Sequence, residues 1–440
     1  MEEVVEQTFV GKSEINNIFD LPPTQIAIQE GSYVTHKCSE VSDQHSIVFD
    51  FAVDANHYAD LSKSYLTFNA KIEGASGTDN KVGPVNLWGH SCFSQINVRL
   101  NDVQVNLNSN NMYPYEAMLT TLLSYGADAK NTHLAVAGYA SDDAGKMDDH
   151  DPTENGCNTG LVTRAAAVNG GGTTELLIRP HINIFQQERL LPPGTKIGMT
   201  LIPSASIFNL MGDDDGTTKW KTVISNPRLH LRRVQLSTTT EMAHITEKMK
   251  GTPMRYPVRD LHGKFRTINI GAPDYHQTIL TGTIPRRLWV CMVKTTARHG
   301  KYKENPFNFQ HFNMSSIQLK VAGKLVPPED ISVDFATDMY KQLYFNLFAQ
   351  TDNMFDDRGN GISFSDFKNG FAVFAFDLTA DLEDGEHMEL IKKGDVDLMI
   401  RFKTPVTGSA IDVITVSEFE NIISISGTNQ QVSRTWRQAN

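Results

Sequence analysis

The sequence predicts an all-β fold in which one β-rich unit occurs twice in tandem. Three observations support this prediction: a hairpin pattern occurs twice, a helical pattern follows each hairpin, and a glycine-initiated strand pattern follows each helix. These elements keep the same order in both halves of the 440-residue chain. Agreement in the type, order and spacing of elements argues against coincidence.

The first of these elements, residues 93–107, has the pattern of a β-hairpin. Apolar residues alternate with polar residues on both sides of Asn101-Asp102, in opposite parity: Ile96, Val98, Leu100, Val103, Val105 and Leu107. Strand side chains point to opposite faces with a period of two, so a two-residue turn places all six on one face. Asn and Asp tolerate the left-handed backbone of such a turn. We therefore predict a hairpin with one buried face, in which Val98 lies opposite Val105.

The segment 315–330 repeats this hairpin at a fixed offset. Its turn is Ala322-Gly323, and Leu319 is expected opposite Val326. The residue after the turn is polar, so this copy follows the pattern less well. The same offset relates residues of the two copies in pairs: Ile96 to Ile317, and Val105 to Val326.

Each hairpin is followed by apolar residues at helical spacing, in residues 113–125 and 333–348. We predict a helix in both segments. The offset of the hairpins also relates two pairs of residues in these segments: Met118 to Met339, and Leu122 to Leu343.

Strand patterns then begin at Gly194 and Gly394. Each has one further strand candidate before it and one after it: residues 174–180 and 227–236 in the first copy, 370–378 and 410–419 in the second. The offset between these strands is shorter than that between the hairpins. The first copy therefore carries extra loop residues, on the variable loops expected of such repeats. A long Gly-, Asp- and Asn-rich excursion spans residues 126–173, and such a loop is expected to be either functional or disordered.

Charge argues against a general nucleic-acid binder. The net charge is −11, whereas phosphate contacts favour basic proteins. Basic clusters that begin at Arg228, Arg286 and Arg298 are expected to be solvated faces or to form ion pairs between subunits, with a weak patch facing nucleic acid as the alternative. We predict no sequence-specific nucleic-acid binding.

The predicted location depends on the absence of a transmembrane segment and of a signal peptide. It contains no apolar run of about 18 residues, so no transmembrane segment is expected. The N-terminal MEEVVEQ is acidic and lacks the apolar core of a secretory signal peptide. The four cysteines have no close spacing, which predicts neither a disulfide framework nor a zinc site. A reducing intracellular compartment is the simpler interpretation.

Motif searches predict no catalytic residue, cofactor or metal site. The GHSCF segment from Gly89 lacks the second glycine of a nucleophile elbow. Residues 138–147 lack the spacing and the hydroxyl residue of a phosphate loop. Residues 352–367 only partly match a calcium loop, because Arg358 stands at a ligand position and Phe367 replaces the bidentate Glu. A turn stabilised by Asp side chains is the preferred interpretation.

Several segments are similar to those of capsid-like proteins found in invertebrate genomes: LPPTQ, YPYEAMLTTLLSYG, AGKMD, KYKENPFNFQHFN, DRGNGIS, AFDLT and EFEN. The tandem arrangement resembles the double jelly-roll (hexon-like) major capsid proteins, a class that includes those of Polinton (Maverick) transposons and adintoviruses. The similarity extends from about Leu21 to about Ile425. No catalytic residues carry over from that family.

The resemblance implies two eight-stranded jelly-roll sandwiches with short helices in loops. We predict an N-terminal arm (1–35), jelly roll 1 (36–237), a linker (238–254), jelly roll 2 (255–426) and a C-terminal tail (427–440). Three such chains would form a pseudo-hexagonal homotrimeric capsomer that tiles an icosahedral shell. The implied location is the virion capsid, after synthesis in the host cytoplasm or nucleus.

The implied partners are further copies of the chain, neighbouring capsomers, and penton or minor capsid proteins. The arm is acidic and ends at the Leu21-Pro22-Pro23 break, so it is expected to become ordered at an interface. Isolated apolar residues in the arm and one tryptophan in the tail are candidate inter-subunit contacts: Phe9, Val10, Ile18, Phe19 and Trp436.

Two alternatives remain open from the sequence. One is a carbohydrate-binding or glycosidase-type sandwich, which needs an exposed aromatic platform or a pair of carboxylates. The tryptophans are spread singly along the chain, which argues mildly against a platform. The other is a minor capsid or spike protein of similar fold, against which the tandem repeat argues.

Overall fold

The computed structural model describes residues 24–38, 46–74, 81–106, 111–213, 220–354, 359–380, 382 and 387–436. Within these ranges the chain forms 19 β-strands and ten α-helices. The helices are short, and α2 and α7 have 12 residues each. The described residues contain no helix that is both long and apolar enough to cross a membrane.

The first half of the chain contains the strands β1 (Ile28–Lys37), β2 (Ile47–Ala52), β3 (Tyr58–Glu73), β4 (Val82–Pro84), β5 (Phe93–Leu100), β6 (Val103–Gln104), β7 (Thr173–Ile178), β8 (Lys196–Pro203), β9 (Leu210–Gly212) and β10 (Lys221–Leu236). The second half contains β11 (Met254–Ile268), β12 (Asp274–Leu280), β13 (Arg287–Lys294), β14 (Met314–Val321), β15 (Lys324–Val326), β16 (Val373–Asp377), β17 (Val396–Phe402), β18 (Ile411–Ile425) and β19 (Val432–Trp436).

The helices are α1 (Trp88–Ser91), α2 (Tyr113–Ser124), α3 (Ala127–Asn131), α4 (Thr159–Ala166), α5 (Asn183–Gln186), α6 (Ser206–Asn209), α7 (Thr238–Met249), α8 (Thr295–His299), α9 (Lys341–Ala349) and α10 (Phe364–Lys368). Two 3-10 helices lie in the long excursion: His133–Ala137 and Asn169–Gly171.

Each half of the chain forms two antiparallel sheets with a path of four strands, and β19 adds a fifth strand to one sheet of the second half by pairing with β18. In the first half, sheet 1A has the order β1-β10-β3-β7 and sheet 1B the order β2-β8-β5-β6. In the second half, sheet 2A has the order β11-β18-β13-β16 and sheet 2B the order β12-β17-β14-β15. The two halves correspond strand by strand, and eight strands divided in this way form a jelly roll. The prediction of two tandem jelly rolls is confirmed.

The first predicted hairpin is present as far as it is described. The Val105 N–H donates to the Val98 carbonyl at 3.0 Å, so these residues lie opposite each other as predicted. Asn101 and Asp102 have φ angles of 45° and 68°, the left-handed conformation of a primed turn. Val98 and Val105 are fully buried, but Val103 is 37% exposed, so the apolar face opens toward the turn.

The second hairpin has the same geometry. Leu319 pairs with Val326 as predicted, and Ala322 and Gly323 have φ angles of 47° and 84°. Leu107, the last apolar residue of the first pattern, lies outside the described residues.

The helical correspondence holds at one position and fails at another. Leu122 in α2 and Leu343 in α9 are both buried, as predicted. Met118 is buried in α2, but Met339 is 67% exposed and precedes α9. Met339 and Asp334 exchange two backbone hydrogen bonds, of 2.9 and 3.1 Å, which close a loop before the helix begins.

Two strands lie in segments that the sequence assigned to the termini. β1 begins at Ile28, inside the predicted arm, and β19 lies inside the predicted tail. Among the described residues each of these strands has one hydrogen-bonded neighbour, because β1 pairs with β10 and β19 pairs with β18. Most residues of β1 are exposed or half-buried, so the sequence shows no clear alternation there. The helix α7 lies in the predicted linker.

The apolar core is continuous through both jelly rolls. A smaller apolar cluster lies apart from it at the end of sheet 1A that is next to α7. It consists of Tyr58, Val234 and Leu236, with the partly buried Leu190 packed against them.

Candidate assembly surface

The packing of the two jelly rolls buries much of sheet 2A on both faces. Every residue of β18 from Ile411 to Phe419 is buried, and so is every residue of β13 from Arg287 to Val293. Helices α2 and α5 of the first jelly roll lie against β11, the edge strand of this sheet. Sheet 2A is therefore an internal layer of the molecule.

A close backbone approach occurs where α2 meets β11. The Gly263 N–H in β11 donates to Glu116 Oε1 in α2 at 2.8 Å. A Cβ atom at Gly263 would lie 2.6 Å from Met112 Cβ, which is closer than packed carbon atoms come. A glycine is therefore required for β11 to lie this near to the first jelly roll.

A buried carboxylate links three parts of the chain at this junction. Asp260 in β11 is 1% exposed and accepts hydrogen bonds from Asn183 Nδ2 and Arg434 Nη2, both at 2.5 Å. It also accepts one from Asn421 Nδ2. Burial raises the pKa of Asp260, and the Arg434 guanidinium and these donors oppose that shift. Asp260 thus ties the first jelly roll and the C-terminal strand to sheet 2A.

The long excursion over residues 126–173 also packs on the second jelly roll. Asp148 Oδ2 lies 3.1 Å from Lys294 Nζ, and Asp148 Oδ1 accepts the Asn305 N–H at 3.0 Å. The excursion therefore forms part of the junction.

Within the part of the chain that the structure describes, the outer face of sheet 1A around β10 is open by contrast. Along β10 the burial alternates, with Leu229 and Leu231 in the core. On the opposite face of β10, Arg228 is exposed and His230 and Arg232 are half-buried. The strand that corresponds to β10 in sheet 2A is β18, which is buried on both faces over most of its length. One jelly roll thus has a covered face where the other has a free one.

The open face carries an aromatic and basic cluster. The rings of Tyr65 and His230 are stacked with centroids 4.7 Å apart, and Tyr33 lies 5.7 Å from Tyr65. The Arg232 guanidinium carbon lies 5.3 Å from the centre of the Tyr33 ring. Tyr33 is 49% exposed. Tyrosine and arginine are residue types that protein interfaces favour, because they combine apolar contact area with hydrogen-bonding groups.

His230 lies at the centre of this cluster and contacts two threonine hydroxyls. Its Nδ1 lies 3.1 Å from Thr35 Oγ1 and its Nε2 lies 2.9 Å from Thr67 Oγ1. Burial lowers the pKa of His230, and the Arg228 charge lowers it further. The histidine therefore contributes a polar aromatic surface, and the arginines contribute the positive charge.

A second free surface lies on the helix α9 of jelly roll 2. In α2, ten of the 12 residues are buried, because α2 lies in the junction. In α9, which follows the equivalent hairpin, Leu343 and Leu347 are the buried residues. Phe345 of α9 is 43% exposed, and Leu325 of the preceding hairpin is 44% exposed. Jelly roll 2 therefore exposes apolar side chains on and near α9, whereas the equivalent helix of jelly roll 1, α2, is packed in the junction.

The predicted contact residues are not brought together by the described part of the chain. Phe9, Val10, Ile18 and Phe19 lie outside the described residues. Trp436 is the last residue of β19, and its backbone pairs with Asn421. These five residues remain predictions as inter-subunit contacts.

The basic clusters have two different environments. Arg228 lies on the open face, as described above. The arginines that begin or follow the other two clusters form ion pairs with carboxylates of jelly roll 2: Arg286 with Glu418, Arg287 with Asp377, and Arg298 with Asp412. These pairs lie within one chain, so the expected ion pairs between subunits remain a prediction. Asp260 and Glu116 were missed, because no local motif marks a residue whose partner is distant in the chain.

The structure gives no support for metal chemistry within the residues that it describes, which contain no cluster of three His, Cys, Asp or Glu side chains suited to an ion. Arg358 of the weak calcium-loop match lies outside them. Two polar residues of α7 have partners within the protein: His244 Nδ1 lies 3.1 Å from the Tyr58 hydroxyl, and Glu247 pairs with Lys250.

Comparison with solved structures identifies viral capsid folds. A chain of the Sputnik virophage structure is 13% identical, with a TM-score of 0.67, and the match covers 98% of this chain and 94% of that one. The mavirus major capsid protein is 13% identical, with a TM-score of 0.54 and coverages of 99% and 96%. A chain of the PBCV-1 virus capsid is 9% identical, with a TM-score of 0.58 and coverages of 96% and 100%.

Comparison by sequence adds a relative that matches along most of its length. An uncharacterised protein of Caenorhabditis elegans is 25% identical over an alignment of 426 residues, which covers 92% of this chain and 97% of that protein. No protein-family model matches. The structural likenesses show that this chain has the double jelly-roll fold of viral major capsid proteins.

Proposed function

We propose that this chain is the major structural subunit of a viral or virus-like shell and that it acts by self-assembly rather than by catalysis. The observation that carries the proposal is the asymmetry between two equivalent sheets. Sheet 2A is buried by the first jelly roll of the same chain, whereas sheet 1A is open. A second copy of the chain can cover the open sheet by repeating the packing that already exists inside one chain.

Repetition of this contact would produce a closed ring. The contact is head to tail, because the open face of sheet 1A would receive the α9 side of the next copy. Head-to-tail contacts form rings when the rotation between subunits closes. If the step between jelly rolls is about the same within and between chains, a trimer contains six equivalent steps and closes as a pseudo-hexagon. Homotrimeric capsomers are consistent with the capsid proteins that share the fold.

The assigned partners follow from this role. They are further copies of the chain, then neighbouring capsomers and penton or minor capsid proteins, and the location is the virion capsid. We keep Phe9, Val10, Ile18, Phe19 and Trp436 as candidate contacts between subunits. We also propose a relationship to the capsid proteins of Polintons and adintoviruses in particular. We do not propose sequence-specific nucleic-acid binding.

The rival interpretations receive less support. A carbohydrate platform built from tryptophan is disfavoured, because Trp88, Trp220 and Trp289 are all buried. A minor capsid or spike role is disfavoured by the two complete jelly rolls in one chain.

The decisive measurement is the mass and shape of the purified protein. Sedimentation velocity should give a trimer, and electron microscopy of the same sample should show hexagonal plates or closed particles. A monomer at high concentration, with no particles under any assembly condition, would contradict the proposal.

Two charge-inserting variants test the contact surfaces themselves. Arg232→Glu alters the open face, and Phe345→Glu alters α9. Each should weaken the trimer at least tenfold while the monomer keeps its fold, because each places a carboxylate at the proposed interface. Lys250→Glu, on the exposed side of α7, is the matched control and should leave the trimer intact. Trimers that are unchanged in both interface variants would mean that another surface forms them.

A further inference from the structure

A pocket lies where α7 crosses from the first jelly roll to the second. Its volume is about 390 Å³, which is in the range of small binding sites. The floor is formed by Tyr58, Leu190, Met254 and Tyr256, and α7 forms one wall. Tyr58 and Tyr256 are 6% and 3% exposed, so their rings form a fixed apolar floor.

The polar groups of this floor are already paired. The Tyr256 hydroxyl donates to the Leu190 carbonyl at 3.1 Å, and the Tyr58 hydroxyl lies 3.1 Å from His244 Nδ1. The pocket therefore offers apolar surface to an occupant, with its hydrogen-bonding groups turned to neighbours within the chain. An aromatic or aliphatic side chain fits this chemistry better than a sugar or a nucleotide does.

The rim of the pocket carries three cations, Arg189, Lys248 and Arg255, and two carboxylates, Glu188 and Glu247. Within the described part of the chain, neither the Lys248 ammonium nor the Arg255 guanidinium forms an ion pair. Lys248 is half-buried, and burial lowers its pKa. On the same rim, Glu247 is engaged by Lys250 and Thr252. A carboxylate next to an apolar side chain would match this rim.

The segment that directly precedes β1 lies next to the start of α7, the helix that forms the pocket wall. The Ala27 carbonyl accepts the N–H of Ser237, the N-cap residue of α7, at 2.8 Å. At a rise of 1.5 Å per residue, the pocket wall from His244 to Lys248 begins about 10 Å and ends about 17 Å along the helix from that point.

An apolar arm residue lies within reach of the pocket. Phe19 precedes Ala27 by eight positions, so it can reach up to about 26–29 Å from Ala27 along an extended chain. The intervening Leu21-Pro22-Pro23 sequence favours an extended backbone. The residue after Phe19 is Asp20, which supplies the matching carboxylate.

We propose that Phe19 occupies this pocket in its own chain and that the Asp20 carboxylate lies at the rim beside Lys248 and Arg255. The arm is thereby anchored to its own subunit, so Phe19 would no longer be a contact between subunits, and Phe9, Val10 and Ile18 are left as the arm residues that can contact neighbours. This proposal goes beyond the shell function and does not depend on it, because the pocket and the arm belong to one chain.

Photo-crosslinking in the full-length protein tests the proposal. A benzoyl-phenylalanine replaces Phe19, and in a matched control it replaces Phe9. After irradiation, mass spectrometry should locate the position-19 crosslinks in residues 244–256 of the same chain, whereas the position-9 control should not crosslink there. A position-19 crosslink that joins two chains, or that lies outside the pocket, would overturn the proposal.

A charge exchange provides a second test that does not require a bulky probe. Asp20→Lys alone, or Lys248→Asp alone, should raise the rate of backbone hydrogen exchange in residues 252–256 severalfold, because the anchor is lost. The double variant should restore slow exchange. Glu14→Lys, a charge reversal elsewhere in the arm, is the control and should change nothing. Equal exchange rates in all variants would refute the pairing, whatever the oligomeric state of the sample.

Discussion

At the scale of single residues, the junction depends on polar groups whose partners are far away in the chain. Asp260 is held by Asn183 of the first jelly roll and by Arg434 of the C-terminal strand. A buried carboxylate is tolerated only while such partners neutralise and solvate it, and removal of one partner usually costs more than the pair contributes. Asp260 is therefore a sensitive reporter of the junction.

Arg434→Gln should lower the free energy of unfolding by about 3–5 kcal/mol at pH 7. Burial already raises the pKa of Asp260, and loss of the guanidinium should raise it further. Below that pKa the protonated carboxyl carries no penalty, so the deficit should shrink as the pH falls from 7 toward 5. Urea unfolding at both pH values measures this. Arg401→Gln, which breaks an exposed pair with Asp330, should cost about 1 kcal/mol or less; similar losses in the two variants would contradict the role of Asp260.

Gly263→Ala tests the close approach of β11 to α2. The added Cβ would lie 2.6 Å from Met112 Cβ and 3.1 Å from Glu116 Oε1, so the two jelly rolls must separate locally. We expect a loss of about 1–3 kcal/mol in thermal or urea unfolding. Gly359→Ala is the control, because a Cβ there would meet no atom within 4 Å. If Gly263→Ala is as stable as the wild type, the junction accommodates the added Cβ without a loss in the free energy of unfolding.

At the scale of the elements, the hairpins were predictable because their alternation is local. Val98 and Val105 are seven residues apart, and the Asn101-Asp102 turn fixes which residues face each other. The edge strand β1 escaped prediction because its burial is mixed, and β19 because it pairs with β18 through a polar tail segment. The sequence pattern thus reports strands that have one clearly buried face.

The first hairpin gives a test of face assignment. Val98→Asp should cost more than about 3 kcal/mol, because it places a carboxylate in a fully buried position. Asn97→Asp, on the half-buried opposite face, should cost about 1 kcal/mol or less. Asp102→Gly should be neutral or stabilising, because glycine adopts the φ of 68° without strain. Thermal melts decide, and equal losses at positions 97 and 98 would mean that the faces are misassigned.

At the scale of the whole molecule, the repeat was predictable from the sequence, but the different packing of its two copies was not. The sequence shows two copies of one unit, yet it does not show that α2 is buried in a junction while α9 remains accessible. Burial of Glu116 depends on β11, which lies more than a hundred residues later in the chain. The assembly surface is a difference between two equivalent units, and only their three-dimensional packing reveals it.

The same junction contains a pair of histidines that should make the molecule sensitive to acid. The rings of His90 and His181 have centroids 4.7 Å apart, and the Tyr113 hydroxyl of α2 lies 2.8 Å from His90 Nδ1. Burial lowers the pKa of His90 well below its usual value. Burial also lowers the pKa of His181 to about 4, with a further contribution from the Arg179 charge.

The direction of the effect follows from these lowered pKa values. In the unfolded chain histidine titrates near pH 6.5, so below that pH the unfolded state binds more protons than the folded state. Above pH 6.5 His181 is neutral in both the folded and the unfolded state, so it does not reduce the free energy of unfolding. As the pH falls toward 4, this residue lowers the free energy of unfolding by about 2–3 kcal/mol. His181→Gln should therefore flatten the pH dependence of unfolding between pH 6.5 and 4.5, whereas His276→Gln, at an exposed position, should leave it unchanged. An identical slope in wild type and His181→Gln, measured by urea unfolding across that range, would remove His181 from the account of acid sensitivity.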